Sequence, residues 1–277
     1  MSLVRRAALG AVGRTPASVR TWVYRHPKIW TPLARLIGRL VPAGESSVVQ
    51  IRVGPNAGLK LAIDASTPRY YWLDPNYESA VVAALQDWLR PGMHVADIGA
   101  HIGWMTMLMA RAVGGGGSVL AFEPNPNIAK QLRENLKLNE LGQASVLEMA
   151  LSDSSGEAEF HILPHSTTSH LVSERDAPSG ATTIRVPLMR LDELIFRPES
   201  AAKLDVLKID VEGGEAAVLR GAGRVLGELR PKVLIEVHNL GALEECRAVL
   251  ESQRYEIAPV ESVAESSFPF HIRCVAR

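Results

Sequence analysis

Ile29, Trp30, Leu33, Leu36, Ile37, Leu40 and Val41 recur at a spacing that puts them on roughly one face of a helix over 29–41, with Arg35 and Arg39 elsewhere. Such a helix reads as a cap over a site, a membrane-surface helix or an N-terminal helix packed on the core. Residues 48–53 and 59–63 read as two short strands around Gly54, Pro55, Asn56, Ala57 and Gly58, a hairpin signal. From about residue 77 the pattern changes to alternating helices and strands. Helices are expected over 77–89, 103–113, 126–139, 214–228 and 241–252. Strands are expected over 94–98, 118–122, 144–149, 204–209, 232–237, 255–259 and 270–276, with an irregular β-rich insert over about 156–190. Strand–helix alternation of this kind predicts an α/β fold: an open, mostly parallel sheet with helices on both faces. The domain division expected is a basic extension over 1–60, holding the cap helix and the start of the hairpin, and a main domain over 61–277.

Composition narrows the class. Hydrophobic residues make up 47% and charged residues 22% of 277 residues, the profile of a chain with a sizeable core. The formal net charge of zero gives no general reason to expect a nucleic-acid partner. It hides an asymmetry, because residues 1–52 hold nine basic residues and a single acid, Glu45. A basic arm on an acidic body suits a membrane surface, an anionic substrate or docking on the chain's own acidic domain. Cys246 and Cys274 match neither a disulfide framework nor metal-ligand spacing and read as buried apolar residues. No apolar run is long enough to cross a bilayer. The segment after Arg5 and Arg6 is too short and broken for a secretory signal, so a cytoplasmic protein is expected, with peripheral membrane contact and an organelle transit peptide left open.

The chemistry centres on Asp97-Ile98-Gly99-Ala100-His101-Ile102-Gly103, a turn between a strand and a helix. In open α/β sheets ligands bind beyond the carboxyl ends of strands, near the point where strand order reverses. Gly99 and Gly103 permit a tight turn and a close approach. Asp97 can accept a hydrogen bond or oppose a positive charge. Glu123 ends the second strand, where a carboxylate can accept both hydroxyl protons of a ribose. A dinucleotide fingerprint needs glycines at positions one, three and six, whereas this loop has His101 third and Trp104 sixth. A phosphate-free cofactor with a sulfonium cation and an amino-acid tail fits these residues better than a pyrophosphate.

Further segments agree with that reading. Ala121 to Pro126 (AFEPNP), Ala150 to Asp153 (ALSD), Lys208 to Gly213 (KIDVEG) with Glu215, Val218 to Ala222 (VLRGA) and Leu234 to His238 (LIEVH) follow the loop in this order. Together they closely resemble the FkbM family of methyltransferases over roughly residues 70–240. The resemblance implies a class I methyltransferase (Rossmann-like) sheet of seven strands, the last antiparallel, with S-adenosyl-L-methionine as cofactor. It also implies an oxygen acceptor on a natural product, sugar or lipid-linked molecule. By the family pattern Gly99, Ala100, His101 and Gly103 wrap the methionine part and Glu123 holds the ribose. Pro124 and Asn125 flank the adenosine, and Ala150, Leu151 and Ser152 line the adenine, with Ser152 or Asp153 as a polar contact. His101 stands where asparagine is common, and Gly214 where alanine is usual.

Methyl transfer to an alcohol needs alignment and removal of one proton. Asp210 and Glu212 follow a strand and share a side if the strand continues through them. Either could take the proton, or both could bind a divalent cation such as magnesium that lowers the acceptor's pKa. Alternatively Asp210 contacts the cofactor or caps the next helix, with Glu212 at its N-terminus. Glu236 and His238 end the following strand. His238 is a candidate base, and Asp210, Glu212, Glu236 and His238 are candidate metal ligands; a rim histidine is also often only a hydrogen-bonded surface group. The polar stretch from His165 to His170 is expected to loop over the site. An NAD-dependent oxidoreductase and a non-catalytic cofactor-binding protein are the alternatives, and oligomeric state, a homo-oligomer included, stays open.

Overall fold

In a computed structural model the described residues are 47–63, 77–162, 170–171, 182–198, 201–260 and 268–277. The helix expected over 29–41 and most of the 165–170 stretch lie outside them. The chain forms two units, one of residues up to Ser79 with Glu134–Glu140, the other Ala80–Arg133 with Leu141–Arg277.

In the first unit β1 (Ser47–Gln50) pairs antiparallel with β2 (Lys60–Ile63), so a boundary at residue 60 falls inside this hairpin. Two asparagines substitute for a third strand. The Ala62 N–H donates to Asn135 Oδ1 and the Lys60 N–H to Asn139 Oδ1, each at 2.7 Å. Asn139 Nδ2 donates back to the Lys60 carbonyl, so the strand's outward polar groups are satisfied.

The second unit opens with α1 (Ser79–Trp88) and then alternates: β3 (His94–Ile98), α2 (Trp104–Val113), β4 (Ser118–Phe122), α3 (Pro126–Leu138) and β5 (Ala144–Leu147). After a β insert come α4 (Leu191–Ile195), β10 (Val206–Ile209), α5 (Glu215–Arg220), β11 (Lys232–Val237), α6 (Leu240–Ser252), β12 (Tyr255–Pro259) and β13 (Phe270–Ala276). The insert holds β6 (Ala150–Leu151), β7 (Gly156–Ile162), β8 (His170–Leu171) and β9 (Thr182–Met189). These four make a separate sheet in the order β6-β9-β7-β8, which gives the irregular insert a defined form.

The main sheet has seven strands in the order β12-β13-β11-β10-β3-β4-β5. All are parallel except β13, which runs antiparallel between β11 and β12. This is the class I methyltransferase sheet. From β3 the chain winds outward through β4 to β5; from β10 it winds the other way through β11. Right-handed crossovers therefore place α2 and α3 on one face and α5 and α6 on the other. Order reverses between β3 and β10, whose carboxyl ends lie side by side with Ile98 opposite Ile209.

β10 is buried at every position, lysine included, as a strand covered on both faces must be. The helix expected over 214–228 is instead α5 followed by a π-helical turn, Val225–Leu229. α5 ends at Gly221, where a Cβ would overlap the Ser152 carbonyl oxygen, so the insert's backbone passes too close for any other residue. The strand expected over 204–209 starts only at Val206. Asp205 is used differently, its carboxylate accepting from the His94 N–H at 2.7 Å.

Candidate active site

Apolar strands deliver the charged residues to one rim. The loop after β3 is shaped by backbone needs. Gly99 has φ +80°, and a Cβ there would overlap the carbonyl oxygen of Asp210, so β3 and the segment after β10 touch through this glycine. Gly99 and Ala100 both donate their N–H groups to the Phe122 carbonyl. His101 has φ +50°. Histidine and asparagine are among the residues that tolerate the left-handed region, which accounts for a histidine where asparagine is common. Gly103, at φ +91°, precedes α2.

Glu123 closes this loop. Its Oε2 accepts the His101 N–H and its Oε1 the Asn125 N–H, each at 2.9 Å. Burial pushes its pKa up to about 7, while those two bonds pull the other way. Burial also lowers His101 to about 4, so its ring is neutral at physiological pH. Asn125 faces its own helix, accepting the Asn127 N–H on Oδ1 as the N-cap of α3 ahead of Pro126. Pro124 lies between the two. The expected flanking role of Asn125 is thus narrowed, since its oxygen already holds the helix start.

Asp97 accepts a hydrogen bond and opposes a positive charge, both within the chain. It is 0% exposed, with Oδ2 accepting the Thr106 hydroxyl at 2.6 Å and Oδ1 3.5 Å from Lys208 Nζ. The charge it opposes is this lysine, its register partner on β10, and it ties the loop to α2 through Thr106. Lys208 also donates to Asp210 Oδ2 at 2.9 Å. β10 ends at Ile209, so the condition for Asp210 and Glu212 to share a side as alternate residues of one strand is not met. Burial disfavours ionised Asp210. Lys208, hydrogen bonding with Glu236 and the charge of His271 outweigh burial and hold its carboxyl well below the usual range. Nor does Asp210 cap α5. Gly214 precedes that helix, and Glu215 Oε1 accepts the Gly213 N–H at 3.1 Å.

Glu212 turns toward His238. Its Oε2 lies 3.3 Å from His238 Nε2, while His238 Nδ1 lies 2.6 Å from Oε1 of the fully buried Glu215. Burial works against a charged His238, but Glu215, Glu212 and Asp210 outweigh it and raise its pKa. Glu212 is raised by burial, opposed by His238 and supported by Asp210 and Glu215. Glu236 sits opposite His271 on β13, with 3.8 Å between Oε2 and Nε2. Asp210, Glu236 and His238 each bring one ligand atom within 4.8 Å of the others. Lys208 already supplies a cation to Asp210, and Glu212 stands at the His238 nitrogen rather than in that group.

The insert contributes backbone more than side chains. Leu151 is buried in the main core and Ala150 in the core of the small sheet. The Ser152 N–H donates to the Met189 carbonyl. Asp153 is held by Arg220 of α5 at 2.8 Å. Thr106, Lys208, Glu215 and His271 are the residues whose roles sequence reasoning missed. Lys208 and Glu215 stood within a quoted motif; nothing in the sequence pairs His271 with Glu236.

The model for the family described as the methyltransferase FkbM domain matches residues 97–257. The 31-O-demethyl-FK506 methyltransferase FkbM of Streptomyces tacrolimicus is 30% identical over 61% of this chain and 75% of its own length. The hexuronic acid methyltransferase AglP of Haloferax volcanii is 34% identical over 51% of this chain and 54% of its own. The solved methyltransferase FkbM of Methylobacillus flagellatus aligns with a TM-score of 0.47 at 16% identity, covering 75% of this chain and 55% of that one.

Proposed function

The chain belongs to the FkbM family of S-adenosylmethionine-dependent methyltransferases, and from that premise we propose that it methylates a hydroxyl oxygen of a small or lipid-linked acceptor. The residues fit the cofactor. Asp97, Glu123 and Asp210 make the loop's surroundings acidic, which suits hydroxyls and a cation and opposes a pyrophosphate. Glu123 would hold the ribose and the backbone of Gly99, Ala100 and His101 the methionine part. The bound cofactor supplies an electrophilic methyl group. Lys208 holds Asp210 ionised and pairs with Asp97, so the loop and the β10 segment stay in register. No step is assigned to a divalent cation.

One observation carries the choice of acceptor: Asp210, Glu212 and Glu236 surround a histidine whose ring is already hydrogen-bonded. Such a rim repels a carboxylate acceptor and can receive a proton from a neutral hydroxyl. The relative named for hexuronic acid makes the distinction worth testing. With methyl-labelled cofactor and matched panels of neutral glycosides and their uronic acids, label is expected in the glycosides as alkali-stable ethers. Label released as methanol by mild alkali would mean a carboxyl ester and overturn the reading.

The basic segment over 1–52 supports a second proposal, that it draws an anionic or amphiphilic surface to the enzyme. Deleting residues 1–45 is expected to reduce binding to vesicles containing anionic lipid, more so at low salt. Equal binding by the shortened chain would dismiss it.

A further inference from the structure

We propose that Glu215 is a positioning residue for His238, fixing the imidazole so that Nε2 is the atom that takes the proton of the acceptor hydroxyl. The inference rests on the hydroxyl reading above and names the residue pair that performs its proton transfer. Geometry carries it. Glu215 is 0% exposed, and its Oε1 is 2.6 Å from His238 Nδ1 while also accepting the Gly213 N–H. A carboxylate only accepts, so Nδ1 must carry a hydrogen and the lone pair of neutral His238 falls on Nε2. The other oxygen, Oε2, is buried with no hydrogen-bond partner. A chain that needed Glu215 only to start α5 would have no reason to bury it under a histidine, since an N-cap side chain does that task from the surface.

Nε2 lies 3.3 Å from Glu212 Oε2, on the half-buried rim that also holds Asp210 and Glu236. Facing that carboxylate, it carries the proton in the imidazolium and the lone pair in the neutral ring. The acceptor hydroxyl takes the place of the Glu212 carboxylate at Nε2. The O–H bond breaks as Nε2 gains its proton. The hydroxyl oxygen bonds to the methyl carbon while the C–S bond breaks and leaves its electron pair on sulfur. The resulting imidazolium faces Glu215, Glu212, Asp210 and Glu236, whose negative charge favours it. The base must be neutral to act, so activity rises with pH through the elevated pKa of His238 and is lost below it.

The test is imidazole nitrogen–proton correlation NMR of the full chain. At high pH the His238 signal is expected to show hydrogen on Nδ1 and none on Nε2. Glu215→Gln is expected to lower the His238 pKa by about one unit or more. A bond that only braces the fold would give that much, so a second comparison decides. The complexes with S-adenosylmethionine and S-adenosylhomocysteine differ by one methyl group and one positive charge. A histidine beside the transferred methyl is expected to titrate lower, by about one unit, in the sulfonium complex. Equal titration in the two complexes, or hydrogen on Nε2, overturns the proposal, and this holds if Glu215→Gln fails to fold. A carboxyl-ester product would defeat the hydroxyl reading instead and leave the tautomer as measured.

Discussion

Lys208→Met is expected to lower the free energy of unfolding at pH 7 by about 3–5 kcal/mol, the range for removing one partner of a buried ion pair. Lys208 is 3% exposed and bridges Asp97, 0% exposed, and Asp210. Methionine fills the same volume but supplies no charge. Two carboxylates at the carboxyl-end rim of the sheet then lose their shared cation, and Asp97 keeps the Thr106 hydroxyl. The effect has a definite pH sign. The Asp210 pKa is held low in the folded protein, so the stability it contributes is present above the ordinary carboxylate range and is lost as pH falls. The variant lacks that contribution. The gap between wild type and Lys208→Met should therefore be full near neutrality and shrink as pH falls below about 4, where aspartates protonate in the unfolded chain, toward the lowered folded value. Urea unfolding of both proteins across that range measures it. A gap that is small at pH 7, or that widens on acidification, would contradict the bridging role.

Glu123→Ala is expected to weaken S-adenosylhomocysteine binding by about 100-fold or more, because hydrogen bonds to a charged group contribute about 1.5–3 kcal/mol each. Two such bonds, to the ribose hydroxyls, are assigned to this carboxylate. The backbone N–H groups of His101 and Asn125 also lose their shared acceptor. The pH dependence separates the ribose role from simple loosening. Burial raises Glu123 to about 7, so the free protein carries a proton there below neutrality. The ionised form accepts both hydroxyls, so affinity should rise with pH through about 7 and level off above it. Calorimetry across pH 5.5–8.5 (an interval chosen to straddle that value) reads both effects. An unchanged dissociation constant in the folded variant would refute the ribose contact, and a flat wild-type profile would refute its titration.

The legibility of this site varied by residue in a way that has a cause. Gly99, His101 and Gly103 were visible because a left-handed backbone restricts the residue types that can stand there. Glu123 was visible because it ends a strand whose place beside the loop follows from β–α–β winding. The boundaries of β3, β4, β11, β12 and β13 match expectation because each is a short apolar run between turn residues. Asp97 was legible in part: its type told of an acceptor or a counter-charge, but its partner Lys208 lies on a strand more than a hundred residues later. The Arg220 partner of Asp153 was hidden for the same reason, since it reaches over from α5. The helix over 214–228 had good periodicity, and its interruption where Gly221 passes the Ser152 carbonyl is seen only in the structure.

The seven-stranded sheet was implied by the resemblance of its motifs to a family; by itself the sequence determined the class of fold, the loop over 97–103 and the acidic residue that closes it. These depend on periodicity, turn chemistry and backbone conformation, all of which act over a few neighbouring residues. Tertiary structure alone decided which charges meet: Lys208 between Asp97 and Asp210, Glu215 under His238, Glu236 opposite His271. Ion pairing depends on distances across strand register, and register brings together residues that no local pattern connects.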